Sequence, residues 1–147
     1  MEKFNLWGDF ITYSGYYNFK YENIIDKRFE VLPGGSISWD GDPLKATLRN
    51  LRAAYMLNAN PAALLESSQY NRKIPTQVVI KLEGELMKPE TLFDINFPES
   101  NAGLVSELNY RLEDQDRKQL QAFSLLAQGS FMSERNTDNR LLAYNLF

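Results

Sequence analysis

Histidine and cysteine are both absent from the 147 residues. That removes Ser-His-Asp and Cys-His catalysis, the usual Cys/His zinc sites, disulfides and thiol redox chemistry. A basic excess is missing too. There are 16 Lys plus Arg against 19 Asp plus Glu, a net charge of −3, whereas a nucleic-acid binder usually carries a positive stripe. Apolar runs such as Ala53 to Leu57 fall far short of the ~20 residues of a membrane span. The start, Met1-Glu2-Lys3, has no signal-peptide pattern, so the chain reads as a soluble piece. No low-complexity segment or clean repeat interrupts it. What remains, 44% hydrophobic and 24% charged residues, suits one globular domain.

Period-two alternation dominates. Phe4, Leu6 and Phe10 share one side, with Gly8 between them; Tyr17, Phe19 and Tyr21 alternate with Asn18 and Lys20. Phe29 and Val31 follow, then Ile37 and Trp39. The clearest run sets Val78, Ile80, Leu82, Gly84 and Leu86 against Lys81, Glu83 and Glu85, and Phe93, Ile95 and Phe97 complete the series. Each reads as a strand with one apolar and one wet side. Pro33-Gly34 fits a type II turn and Asp40-Gly41-Asp42-Pro43 is a second breaker, which predicts an antiparallel meander over residues 27–57. Within it, Ala46 and Leu48 have the opposite parity to Leu51, Ala53, Tyr55 and Leu57. A bulge at Arg49-Asn50 would restore one apolar side.

Helical spacing is confined to few places. Asn60-Pro61-Ala62-Ala63-Leu64-Leu65 predicts a short helix, and Glu66 to Lys73 a polar loop. Leu104, Leu108 and Leu112 repeat every four residues. Asp116 and Gln119 have capping-box spacing ahead of Leu120, Phe123 and Ala127, and Gly129 is placed to stop that helix. About seven strands at ~4.8 Å spacing make a sheet roughly 34 Å wide, against the ~10–12 Å one helix covers. A sandwich, a closed barrel or an open half-pipe each solves this mismatch. The first two are the commoner solutions, and the third leaves an apolar surface that demands a ligand or partner.

From Pro33-Gly34-Gly35-Ser36-Ile37-Ser38-Trp39-Asp40-Gly41-Asp42-Pro43 onward the sequence resembles the C-terminal domain of the TamB family. This family is the translocation and assembly module of Gram-negative envelopes, also catalogued as DUF490 in the AsmA-like clan. Gly15-Tyr16-Tyr17-Asn18-Phe19 upstream supports it. So do Leu82-Glu83-Gly84-Glu85-Leu86-Met87-Lys88-Pro89, Phe97-Pro98 and Ala122-Phe123-Ser124-Leu125-Leu126 before Gly129. The resemblance covers roughly Phe4 to Phe131, and Ser106 to Leu112 looks like the Bacteroidota branch. It implies a mainly β fold, a curled antiparallel-rich sheet forming an open half-pipe (a β-taco) with an apolar interior, a short helix and a C-terminal amphipathic helix. The implied division is a β domain over 1–131 and a truncated extension over 132–147. A chain ending on Leu146-Phe147 reads as cut in mid-element, without the family's N-terminal anchor and long β shaft.

The resemblance also implies a non-enzymatic periplasmic conduit or scaffold, part of an inner-membrane-anchored protein. Its partners would be a phospholipid or other apolar chain and an outer-membrane barrel of the TamA/BamA type, with no nucleic acid, cofactor or metal. The groove-lining candidates are Tyr17, Phe19, Tyr21, Phe29, Val31, Ile37, Trp39, Val78, Ile80, Leu82, Phe93, Ile95 and Phe97. Ordinary core packing is the competing reading for all of them. Asp40 with Asp42 is a turn before it is a cation site, and Asp114 with Asp116 suits a helix start. Pro33-Gly34-Gly35-Ser36 precedes a strand, which argues against a phosphate cradle. Glu83 and Glu85 would form a glycosidase pair only inside a cleft. The alternative function is a β-sandwich carbohydrate-binding module using Trp7, Tyr13 and Tyr16.

Overall fold

The computed structural model describes residues 4–65 and 70–133. Seven strands, β1 (Leu6–Ile11), β2 (Tyr16–Tyr21), β3 (Ile25–Val31), β4 (Ser36–Gly41), β5 (Thr47–Ala59), β6 (Ile74–Glu85) and β7 (Lys88–Asn96), belong to one sheet. The helices are α1 (Ala62–Leu65), α2 (Ala102–Arg111) and α3 (Gln115–Gln128). The protein is thus mainly β. Its sheet is not closed into a barrel, since among the described residues β1 pairs only with β4, β7 only with β6, and β2 ends the remaining path. No helix among the described residues is long and apolar enough to cross a membrane. From residue 134 on, the expected 132–147 extension lies outside the described residues; Met132, at its start, is buried.

Strand β5 organises the pairing. β4 pairs antiparallel with its first residues (Ser36 opposite Arg49, Ser38 opposite Thr47), and β3 with later ones (Glu30 opposite Ala54, Val31 opposite Ala53). This corrects the expected meander: β3 and β4 lie end to end along β5 instead of pairing with each other. The cause is local. Gly34 takes the positive φ (107°) a type II turn requires, while Gly35 runs so close to β5 that a Cβ there would lie 2.7 Å from the Leu51 Cα and 2.8 Å from the Asn50 carbonyl oxygen. Asn50 sits at φ 51° where β5 changes partner. The buried side switches parity around it, from Ala46 and Leu48 to Ala53 and Ala59. The expected irregularity is therefore present, in a residue type that tolerates left-handed backbone.

Contacts group the chain into two compact units. One comprises residues up to Lys20, Asp26–Tyr55 and Val79–Leu92; the other comprises Tyr21–Ile25, Met56–Val78 and the residues from Phe93 on. The first holds β1 and β4 and buries Phe29, Ala46, Leu48, Ala53, Ile80 and Leu82. The second buries Ile25, Leu64, Val78, Ile95, Phe97, Leu108, Leu112, Leu125 and Leu126, with α1 packed on α2.

Within the second unit the helix ends follow their caps. The Asn60 side-chain oxygen accepts from the Ala62 N–H ahead of α1, and the Asn101 oxygen accepts from the Leu104 N–H at the start of α2. Asp114, not Asp116, caps α3, accepting from the Arg117 N–H at 3.1 Å. Asp116 falls in the first turn, where its charge suits the helix dipole. Gln119 is unavailable for a capping box because its amide bonds both backbone groups of Phe93. Gly129 ends α3 in the left-handed conformation, φ 73°.

Candidate functional site

In the first unit the apolar side of the sheet passes from a sealed floor to an open flank. Phe29, Ile80 and Leu82 are fully buried, whereas Tyr17, Phe19, Val31, Ile37 and Trp39 are half-buried. Phe29 joins its neighbours by ring contacts, edge-on to Phe19 with centroids 6.2 Å apart and tilted against Tyr55 at 5.7 Å. Burial pushes the Tyr17 phenol above its ordinary value of 10.0. The apolar environment penalises the phenolate, not the neutral ring.

The flank is made by β1 and β4. Antiparallel pairing puts Phe10 opposite Ile37, Gly8 opposite Trp39 and Leu6 opposite Gly41, and the same side continues onto β5 as Ile37 faces Leu48. Phe10 keeps 59% of its surface exposed although Leu48, two strands away, is buried. Gly8 contributes no side chain opposite the Trp39 indole. The ring is held by its Nε1–H, which donates to the Pro43 carbonyl at 2.9 Å. That turn is fixed in its own right, since Asp42 accepts from the Leu44 N–H and Gly41 takes φ 118°. Asp42 is thus committed to the turn. Near the start of β5, Leu44, Ala46 and Met87 with Lys45, Thr47 and Glu85 line a cavity of about 360 Å³.

The other side of this unit is polar at its centre. Asp9 accepts a hydrogen bond from the facing Ser38 hydroxyl at 2.6 Å, and Trp7 lies opposite Asp40. Trp7, Tyr13 and Tyr16 are exposed, but Tyr16 is covered by the Arg28 guanidinium, 3.6 Å from the ring centroid. Glu83 and Glu85 are exposed on their strand.

In the second unit Val78, Ile95 and Phe97 are buried and Tyr21 and Phe93 half-buried. Tyr21 meets Phe123 edge-on at 5.4 Å and Phe97 meets Phe131 at 6.2 Å, so these candidates are joined to the C-terminal packing. Two further cavities here have charged residues in their walls. One of about 590 Å³ is lined by Tyr110, Arg111, Glu113, Asp114 and Arg117; one of about 440 Å³ has Arg72, Lys73 and Glu99 in its wall. Among the described residues no group of three acidic side chains converges as a metal site would.

The candidate list omitted Leu6, Phe10 and Tyr55. All three lie on apolar parities readable in the sequence; missing was the register that sets Phe10 beside Ile37. Gln121, wholly buried with its amide bonded to both Met132 backbone groups, gave no signal beyond its place between Leu120 and Ala122.

An antiparallel sheet that is not closed into a barrel, with few helices among the described residues, defines a mainly β protein. The TamB C-terminal domain profile matches residues 1–145 of the chain. The chain belongs to this family, one of non-enzymatic Gram-negative envelope proteins that work with TamA-type outer-membrane proteins, and its role lies in envelope assembly. No match was found among curated proteins or solved structures.

Proposed function

We propose that the apolar side of the first unit shields lipid acyl chains, as part of phospholipid passage between inner and outer membrane, and assists assembly of outer-membrane proteins. The observation that carries this reading is the continuity of the buried floor with an uncovered flank. Leu48 is sealed, Ile37 beside it is half-buried, and Phe10 beyond is exposed. An acyl chain of more than a dozen carbons loses on the order of 10 kcal/mol when exposed to water, at ~0.8 kcal/mol per methylene. A dry wall removes that barrier. It supplies no direction, since wall and bilayer are similar solvents for a tail, so net flow comes from a gradient or another machine. In this reading the chain works in the periplasm within an inner-membrane-anchored protein, opposite a barrel of the TamA/BamA type.

Native mass spectrometry of protein purified without detergent tests the reading. Phospholipid adducts are expected on the wild type and at least fivefold fewer on Ile37→Asp, a half-buried position where a folded variant is expected. Absence of adducts on the wild type, or equal adducts on both proteins, contradicts it.

A further inference from the structure

The cavity at the start of β5 is walled by residues of both parities. Ala46 belongs to the buried side with Leu48, whereas Thr47 faces Ser38 across the pairing with β4. The Leu86 N–H donates to the Ala46 carbonyl at 3.0 Å, which brings the end of β6 alongside. Glu85 and Met87 then complete the wall. The volume of about 360 Å³ falls within the range of small-molecule sites, roughly 300–1,000 Å³. Just upstream, the Pro43 carbonyl holds the Trp39 indole and Asp42 holds the Leu44 N–H. A fixed turn therefore joins the cavity to the β1–β4 flank.

This wall carries one charge of each sign on an apolar ground. Leu44 and Met87 are 67% and 71% exposed, and Lys45 and Glu85 are exposed beside them. Lys45 and Glu85 do not form an ion pair with each other. An exposed pair gains little by closing on itself in water. A ligand with an anion and a cation a few bonds apart gives each group a charge-assisted hydrogen bond instead. Lysine serves a phosphate as a compact point charge, and the Glu85 carboxylate accepts from an N–H donor.

We propose that this cavity holds the headgroup of a zwitterionic phospholipid, one whose phosphate is followed by a primary ammonium. The Lys45 ammonium takes the phosphate, Glu85 takes the lipid's ammonium, and Leu44 and Met87 cover the start of the tails. This rests on the acyl-chain reading above, to which it adds a headgroup preference. The two charged residues discriminate differently. Lys45 attracts any phospholipid, because all carry a phosphate. Glu85 selects among them: an ammonium satisfies it, whereas a headgroup of phosphate and hydroxyls alone leaves it facing like charge.

Two short-chain lipids with identical tails, dihexanoyl phosphatidylethanolamine and dihexanoyl phosphatidylglycerol, are the probes. Both are titrated as monomers and read by Trp39 fluorescence in the Trp7→Phe protein. The ethanolamine lipid is expected to bind roughly fivefold or more tightly than the glycerol lipid. Glu85→Gln is expected to bring the two affinities together, and Lys45→Gln to weaken both alike. Both positions are exposed, and an unchanged urea midpoint verifies the fold of each variant. Equal affinities before substitution, or a preference that survives Glu85→Gln, overturn the headgroup site and leave the acyl-chain reading standing. Binding of neither lipid ends both. Tail-free glycerophosphoethanolamine provides an arm that needs no acyl chain. It is expected to shift the amide resonances of Lys45, Thr47 and Glu85 severalfold more than inorganic phosphate does. Equal shifts with the two would make the cavity a simple anion site and overturn the assignment.

Discussion

At the scale of single residues, close approach and desolvation decide. Gly35 is needed for space, not for an unusual φ, because a methyl there would collide with β5 backbone at Asn50 and Leu51. Gly35→Ala is expected to lower stability by about 1–3 kcal/mol, read from the urea midpoint, whereas an unchanged midpoint would contradict the approach. Tyr17 gives a pH signature. Its folded pKa is raised by burial from 10.0, so the folded state holds the phenol proton more tightly than the unfolded chain. The stabilisation is complete below pH 10 and falls as pH rises through the folded value. Tyr17→Phe is therefore expected to flatten the loss of stability above pH 10, and an identical alkaline slope in both proteins would refute the assignment.

At the scale of elements, caps and edges matter more than propensity. α3 starts where Asp114 accepts from the Arg117 N–H, so Asp114→Ala is expected to cost about 1 kcal/mol. Asp116→Ala should cost less, since it acts only through the dipole; thermal melts of the two variants separate these roles. Gln119→Ala leaves the Phe93 N–H and C=O without their side-chain partner and is expected to speed amide exchange at Phe93. Unaltered protection would show that the amide does not shield the edge. The strands were legible because alternation survives in Tyr17 to Tyr21, Val78 to Leu86 and Phe93 to Phe97, and the short helix because Asn60 and Pro61 mark its start. Pairing order was not. A Pro-Gly turn normally announces a hairpin, and only the contact of Gly35 with β5, a long-range event, reveals that β3 and β4 share one edge. The α3 cap was misread by two residues because Gln119 has capping-box spacing from Asp116 but a tertiary partner in Phe93.

At the scale of the whole molecule, the apolar parity of the sequence proved real but unequal in use. Phe29, Val78, Ile80, Leu82, Ile95 and Phe97 are packed out of reach of solvent, whereas Ile37 and Trp39 adjoin the exposed Phe10. Alternation identifies a side, not its cover, so which apolar residues remain available is decided by register and helix placement. Membership of the TamB C-terminal domain family over residues 1–145 sets the chain in envelope assembly. The tryptophans allow the surface to be interrogated directly. Trp39 shares a side with Phe10 and Ile37, and Trp7 lies on the opposite side. The decisive measurement is fluorescence quenching by phospholipid with brominated acyl chains, using Trp7→Phe to report Trp39 and Trp39→Phe to report Trp7. Saturable quenching of Trp39, several-fold stronger than that of Trp7, is the result predicted here; equal quenching of both, or none, would contradict an acyl chain held against the β1–β4 flank.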